Sequence, residues 1–210
     1  MSGAREEEFN AATFRVRAAR HSRVADLQSY GDHVLNPGSA SVASERPLRE
    51  AAVLVPLIDY GTRTEILLTQ RTKTMRTHSG QVAFPGGTID PEDNSPEAAA
   101  MREAEEEVGL PASFVETVGR LPEYLTATGY RITPVLAVVR PGFPLTINQM
   151  EVEEAFEVPF SFLMDPSNHR RESRMWQGKQ RHFYTMPYGK RYIWGATAGI
   201  LRALYERHYA

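Results

Sequence analysis

The chain has 210 residues, 41% of them hydrophobic, with 24 Lys plus Arg against 26 Asp plus Glu, a formal net charge of -2 and no cysteine. A chain of this length buries roughly 70% of the surface it exposes when unfolded, enough for a core without covalent staples, and the missing cysteines exclude disulfides, thiolate metal sites and cysteine nucleophiles. The near-balanced charge argues against a protein that coats nucleic acid or an anionic membrane, so any phosphate-handling region must be local.

Met1 to Val24 lacks the continuous apolar stretch of a secretory signal, and no run of residues is apolar enough to span a bilayer, which leaves the cytoplasm as the default location. Residues 1–48 carry Arg15, Arg17, Arg20 and Arg23 among small residues, followed by Asn36-Pro37-Gly38-Ser39. They predict an N-terminal arm, a short helix and then a loop, ahead of one main domain over 49–210. With Glu6 to Glu8 and Asp26 nearby, these arginines read as a solvated helix face. Ala51 to Ile58 and Glu65 to Thr69 are apolar runs separated by Asp59-Tyr60-Gly61-Thr62, which predicts paired strands with a turn between them. Further strands are expected at Val82 to Phe84, Phe114 to Leu121, Ile132 to Val139 and Ala155 to Val158, with a late pair of edge strands around Phe183 to Tyr192. Helices are expected at Pro96 to Val108 and Trp194 to His208. The mixture predicts an α/β fold, a sheet covered by helices.

Both ends of the first of these helices are marked. Ser95 is placed to cap it, Pro96 to open its first turn, and Gly109 to stop it. Met101, Ala104 and Val108 share one stripe, and Glu103, Glu106 and Glu107 stand at i, i+3 and i+4 on another. Like charges at those spacings repel by about 0.2 to 0.5 kcal/mol per pair, so a cation is expected among them. Oxygen-only donors suit a hard divalent ion such as Mg²⁺. A solvated acidic face would have the same composition, and what argues against it is Phe84-Pro85-Gly86-Gly87 just upstream. Adjacent glycines let a backbone turn sharply and offer its N–H and C=O groups to a ligand.

Read as one string, Gly87 to Leu110 resembles the Nudix box, G-x5-E-x7-R-E-U-x-E-E-x-G-U, with U a bulky aliphatic residue. Arg102-Glu103-Ala104-Glu105-Glu106-Glu107-Val108-Gly109-Leu110 supplies its second half. The spacing from Gly87 to Arg102 is one residue longer than the general box, so the first Glu of the motif has no clean counterpart among Asp90, Glu92 and Asp93. Leu67-Leu68-Thr69-Gln70-Arg71-Thr72, then Arg76, Gly80 and Phe84-Pro85-Gly86-Gly87, resembles L-L-T-x-R-S-x3-R-x3-G-x3-F-P-G-G, with Thr72 as the one departure. That second motif is similar to the coenzyme A pyrophosphatase branch of the Nudix hydrolases.

The resemblance implies a Nudix-type α/β/α sandwich with a mixed sheet and a loop-helix-loop catalytic motif. It implies hydrolysis of the diphosphate of coenzyme A to 3',5'-ADP and 4'-phosphopantetheine, or the acyl form, with Mg²⁺ or Mn²⁺ as cofactor. By the same analogy Glu103, Glu106 and Glu107, with the Gly87 carbonyl, hold the metal, and Arg102 anchors the carboxylates by pairing with one of them. Glu106 is the first choice for general base and Glu151 the second. Arg71, Arg76, Gly86 and Gly87 are candidates for binding substrate phosphates, although either arginine could instead pair with a helix carboxylate. His78 reads as a solvated loop residue, and Thr126 to Tyr130 as a candidate pocket wall. Trp194 and Ile200 to Leu204 read as core. The expected partner is a small-molecule substrate, not nucleic acid or membrane, with a homodimer left open. The competing readings are a Nudix hydrolase for ADP-ribose or a dinucleotide, and a non-catalytic nucleotide-binding module on the same fold.

Overall fold

Two strands with opposite side-chain programs on their two faces organise the molecule. In a computed structural model, which describes residues 8–21, 30–37, 47–73, 79–176 and 178–210, β2 (Arg49–Asp59) sends Ala52, Leu54 and Ile58 to one face and Val55 and Leu57 to the other. It turns back into β3 (Thr64–Arg71) through residues 60–63, where Gly61 has φ 78° and donates its N–H to the Asp59 carboxylate. Leu57 then pairs with Ile66 and Asp59 with Thr64 in antiparallel register.

On its other side β2 runs parallel to β8 (Tyr130–Val139), from Arg49 opposite Tyr130 to Ile58 opposite Val139. Parallel pairing buries both faces, and β8 accordingly reads as a near-continuous apolar run. The sheet grows outward from this pair. β4 (Val82–Ala83) and β9 (Val152–Pro159) add to β3, β5 (Gly86–Thr88) adds to β2, and β6 (Val115–Arg120) and β7 (Tyr124–Leu125) add to β8. The short β1 (Tyr30–Gly31) lies parallel to β7 and completes a nine-stranded mixed sheet.

Each face of the sheet carries helices. Ala52, Leu54, Ile58, Val135 and Ala137 pack against Ala99, Ala100, Ala104 and Val108 of the helix Pro96–Val108. The other face packs Val55, Leu57 and Leu136 against Leu201 and Leu204 of the C-terminal helix Gly195–His208, and against Phe14 of α1 (Ala11–His21). The chain is therefore the α/β/α sandwich that its motifs implied. Following α1 in chain order, α2 is Asp32–Leu35, α3 is Pro96–Val108, α4 is Phe160–Leu163 and α5 is Gly195–His208. Among the described residues no helix is long and apolar enough to cross a membrane.

Two regions differ from the pattern reading. The late strands are not edges of the main sheet. They form a separate antiparallel sheet of β10 (Arg170–Trp176), β11 (Lys179–Tyr188) and β12 (Arg191–Trp194). β10 escaped notice because every one of its residues is exposed and its sequence, Arg-Arg-Glu-Ser-Arg-Met-Trp, has no apolar alternation to read. The described parts of residues 1–48 pack onto the domain. Phe14, 1% exposed, meets Phe160 edge-on at 5.6 Å, and Arg15, expected in solvent, pairs with Glu116 on β6 at 2.8 Å.

Candidate active site

The glycine loop lies across β2 because the Leu54 N–H donates to the Pro85 carbonyl at 2.8 Å, so its backbone sits against the strand with no room for side chains. A Cβ on Gly86, whose φ is 154°, would run into the Ala52 carbonyl oxygen and come within 2.6 Å of Val53 Cα. A Cβ on Gly87 would meet the Glu103 carboxylate at 2.5 to 2.7 Å. The missing side chain at Gly87 is thus the space into which Glu103 reaches.

α3 starts and stops where its sequence says. The Ser95 hydroxyl accepts the Ala98 N–H at 3.2 Å, Pro96 opens the first turn, and Gly109 adopts φ 68° with its N–H on the last carbonyls. Its far end also fixes a later loop, since the Thr146 and Asn148 N–H groups donate to the Val108 and Glu107 carbonyls at 3.0 and 2.9 Å. Glu151 follows at once, with its own carbonyl accepting the Thr72 N–H at 2.9 Å.

The three glutamates do not form one flank. Glu107 shares the buried stripe with Ala100, Ala104 and Val108 and its side chain is 2% exposed, against 16% for Glu103 and 56% for Glu106. Met101, expected on that stripe, is only half-buried. Burial pushes the Glu107 carboxyl up to about 7 despite the Arg71 guanidinium at 3.4 Å and the Gly86 N–H at 3.3 Å, and the Glu103 and Glu151 charges push the same way. Glu103 is also held above the usual carboxylate range, chiefly by burial, with Arg102 pulling it down and the charges of Glu106 and Glu151 adding to the rise.

Arg102 answers the question left by the irregular spacing. Its guanidinium grips Asp93 through Nε at 3.1 Å and Nη2 at 2.9 Å, and reaches Glu103 at 3.0 Å and Glu106 at 3.4 Å. A bidentate grip of this kind fixes direction as well as charge. It also holds the Asp93 carboxyl below its ordinary value. Asp93 stands five intervening residues after Gly87, as the first Glu of the box does, so the extra residue falls between Asp93 and Arg102.

Glu103, Glu107, Glu151 and Arg71 line one cavity of about 480 Å³ together with Gly86 and Gly87. Glu106 is not among its lining residues; it turns to Arg102 at the surface. Arg71 lines the cavity and also pairs with Glu107 at 3.4 Å, the carboxylate pairing weighed as its alternative. Arg76 and His78 lie outside the described residues. Thr126, Thr128 and Tyr130 contribute to the wall, and the Arg49 guanidinium lies over the Tyr130 ring at 4.0 Å.

Other wall residues carried no signal in the sequence. Asp32 comes from the N-terminal segment and is held by the Tyr124 hydroxyl at 2.9 Å and the Ala127 N–H at 2.8 Å. Trp194, read as core, lines the cavity just before the start of α5, as do Gly195, Ala196 and Thr197.

The donor set is oxygen only, set beside a backbone carbonyl at a residue with no side chain, and this chemistry fits a hard divalent ion rather than a thiophilic one. Among the described residues no three acidic or histidine side chains are already gathered as a metal cage. Two carboxylates that burial makes reluctant to ionise are the ones a cation would relieve.

A family model described as the NUDIX domain matches residues 48–176. The chain is similar to proteins described as an uncharacterized Nudix hydrolase, NudL, from Escherichia coli O7:K1 (strain IAI39 / ExPEC) and Escherichia coli (strain K12). Each is 41% identical over 156 residues, which is 74% of this chain and 81% of the relative. Among solved structures it is similar to a NUDIX hydrolase from Alicyclobacillus acidocaldarius, 20% identical, with 77% of this chain and 93% of that chain covered and a TM-score of 0.47.

Proposed function

Because this chain belongs to the Nudix family, hydrolases of diphosphate bonds that depend on divalent metal ions, we propose that its substrate is coenzyme A or a derivative, cleaved to 3',5'-ADP and 4'-phosphopantetheine or the acyl form. One observation carries this reading. Arg71, Gly86 and Gly87, from the motif that resembles the coenzyme A branch, line the same cavity as Glu103 and Glu107 of the box.

Glu103 and Glu107, with the Gly87 carbonyl, are the groups that would hold Mg²⁺ or Mn²⁺, with Glu106 as the further candidate at the rim. When bound, the ion supplies charge neutralisation on the diphosphate and makes water easier to deprotonate. The chain's own groups do the rest. Arg71 faces the diphosphate and orients it. The Gly86 N–H and Arg71 keep Glu107 in place, and Arg102, itself gripped by Asp93, does the same for Glu103. Water attacks one phosphorus, the P–O bond to the bridging oxygen breaks, and the proton of that water passes to a carboxylate. The position of Glu151 on the cavity wall favours it as this base over the more exposed Glu106.

Incubation with coenzyme A and Mg²⁺, followed by product identification by mass, is expected to give 3',5'-ADP and 4'-phosphopantetheine, with acyl thioesters left intact. Comparable turnover of ADP-ribose without preference for coenzyme A would sink the substrate assignment. In the same assay Glu151→Gln should lose more kcat than Glu106→Gln, and the reverse order would return the base to Glu106. Asp93→Asn should weaken divalent-ion affinity about tenfold by freeing Arg102, as loss of a supporting shell does; calorimetric titration reads this directly, and unchanged affinity removes Asp93 from that role.

A further inference from the structure

In the small sheet β10 to β12 only β11 and β12 turn residues into the core, and β10 is exposed along its whole length. Met186 and Ile193, both 0% exposed, pack into the core with one set of alternating residues. The register places the other set on the outer face. Arg174 stands directly opposite Arg181, Lys179 opposite Trp176, Phe183 opposite Glu172, and Trp194 opposite Thr185. Arg170 shares that face, so four cations accompany one carboxylate. The Glu172 oxygens already accept the Thr185 and Tyr192 hydroxyls at 3.0 and 2.7 Å.

Like charges directly opposite on paired strands destabilise a sheet. Arg174 and Arg181 have that arrangement, and neither is within ion-pair distance of a carboxylate among the described residues. The aromatic rings are interleaved with these charges. Phe183 meets Trp194 at 5.4 Å, the Arg174 guanidinium lies 5.6 Å from the Trp194 ring, and Arg181 covers Trp176 at 4.3 Å. Trp194 belongs to both places, since it also lines the cavity that contains Glu103 and Glu107. The basic, aromatic face therefore meets the cavity at Trp194. Guanidinium groups recognise phosphate oxygens, and aromatic side chains offer stacking surfaces to planar bases.

We propose that this outer face docks the phosphorylated nucleoside end of the substrate, a planar base whose ribose carries a phosphate outside the scissile diphosphate. The inference rests on the substrate reading above, because coenzyme A carries such a phosphate at its 3' position. Arg174 and Arg181 would take that phosphate, and the joined rings of Phe183 and Trp194 would offer the base a surface to stack on.

The test compares Arg174→Gln/Arg181→Gln with the unaltered protein and with Arg171→Gln, a cation on the opposite face of β10. Calorimetry with 3',5'-ADP and with 5'-AMP measures the contribution of the extra phosphate without any hydrolysis. The unaltered protein and Arg171→Gln should bind 3',5'-ADP about tenfold more tightly than 5'-AMP, the weight of charge-assisted contacts at an exposed site, and the double variant should lose that preference. KM for coenzyme A should rise by a similar factor in the double variant, with kcat and the KM for 3'-dephospho-coenzyme A unchanged. No preference in the unaltered protein, a preference retained in the double variant, or an equal loss in Arg171→Gln would each overturn the docking site. Loss of oligonucleotide binding in the double variant without any nucleotide preference would assign the face to nucleic acid and also overturn it. If coenzyme A is not hydrolysed while the 3',5'-ADP preference is present and lost in the double variant, the substrate assignment fails and the docking site stands.

Discussion

Glu107→Gln is expected to lower kcat by roughly a thousandfold or more, since it removes a carboxylate proposed to hold the divalent ion, while changing how stability responds to pH. Both effects follow from burial. The Glu107 carboxyl is raised from its ordinary 4.5 to about 7 in the folded protein. Between those values the unfolded chain releases the proton and the folded chain keeps it. Stability from this group is therefore fully present below pH 4.5 and is lost as pH rises to about 7. The loss amounts to about 3 kcal/mol. Glutamine has no proton to release and removes that slope. Urea unfolding of the metal-free proteins from about pH 4 to about pH 8 should show the variant gaining on the unaltered protein by about 3 kcal/mol. A difference that stays constant over that range would show that Glu107 does not titrate as a buried acid. Adding Mg²⁺ at the upper end should raise the melting temperature of the unaltered protein and leave the variant unmoved.

Alanine at the two adjacent glycines is expected to separate folding from chemistry. At Gly86 the new Cβ meets the backbone of β2, at the Ala52 carbonyl and at Val53 Cα, and the φ of 154° is itself unfavourable for alanine. Neither atom can move without the strand, so Gly86→Ala should cost about 3 kcal/mol or more and lower the melting temperature accordingly. At Gly87 the Cβ meets only the carboxylate end of Glu103, a flexible group that can swing aside. Gly87→Ala should therefore change stability by about 1 kcal/mol or less, yet lower kcat about a hundredfold because the carboxylate proposed to hold the metal ion is displaced. Full activity in Gly87→Ala would show that the contact between Glu103 and this backbone plays no part in turnover.

The box helix and the central strands were legible from the sequence because their rules are local. Ser95, Pro96 and Gly109 each act on backbone groups within one turn, and an alternating strand such as β2 declares its two faces residue by residue. The glycine loop and its downstream carboxylates could likewise be recognised as a string, and that string suffices for the family and the type of bond it breaks.

What periodicity could not decide was how far α3 rolls over the sheet. Positions i, i+3 and i+4 say that Glu103, Glu106 and Glu107 are neighbours. Only the packing of Ala100 and Ala104 says that Glu107 is buried, Glu103 half-covered and Glu106 left in solvent. The side-chain periods describe one element at a time, whereas burial depends on the surface against which that element lies. For the same reason Asp32 and Trp194, far apart in the chain, came to one cavity without any local signal. Strand pairing alone sets the exposed arginines of β10 beside the aromatic rings of β11 and β12.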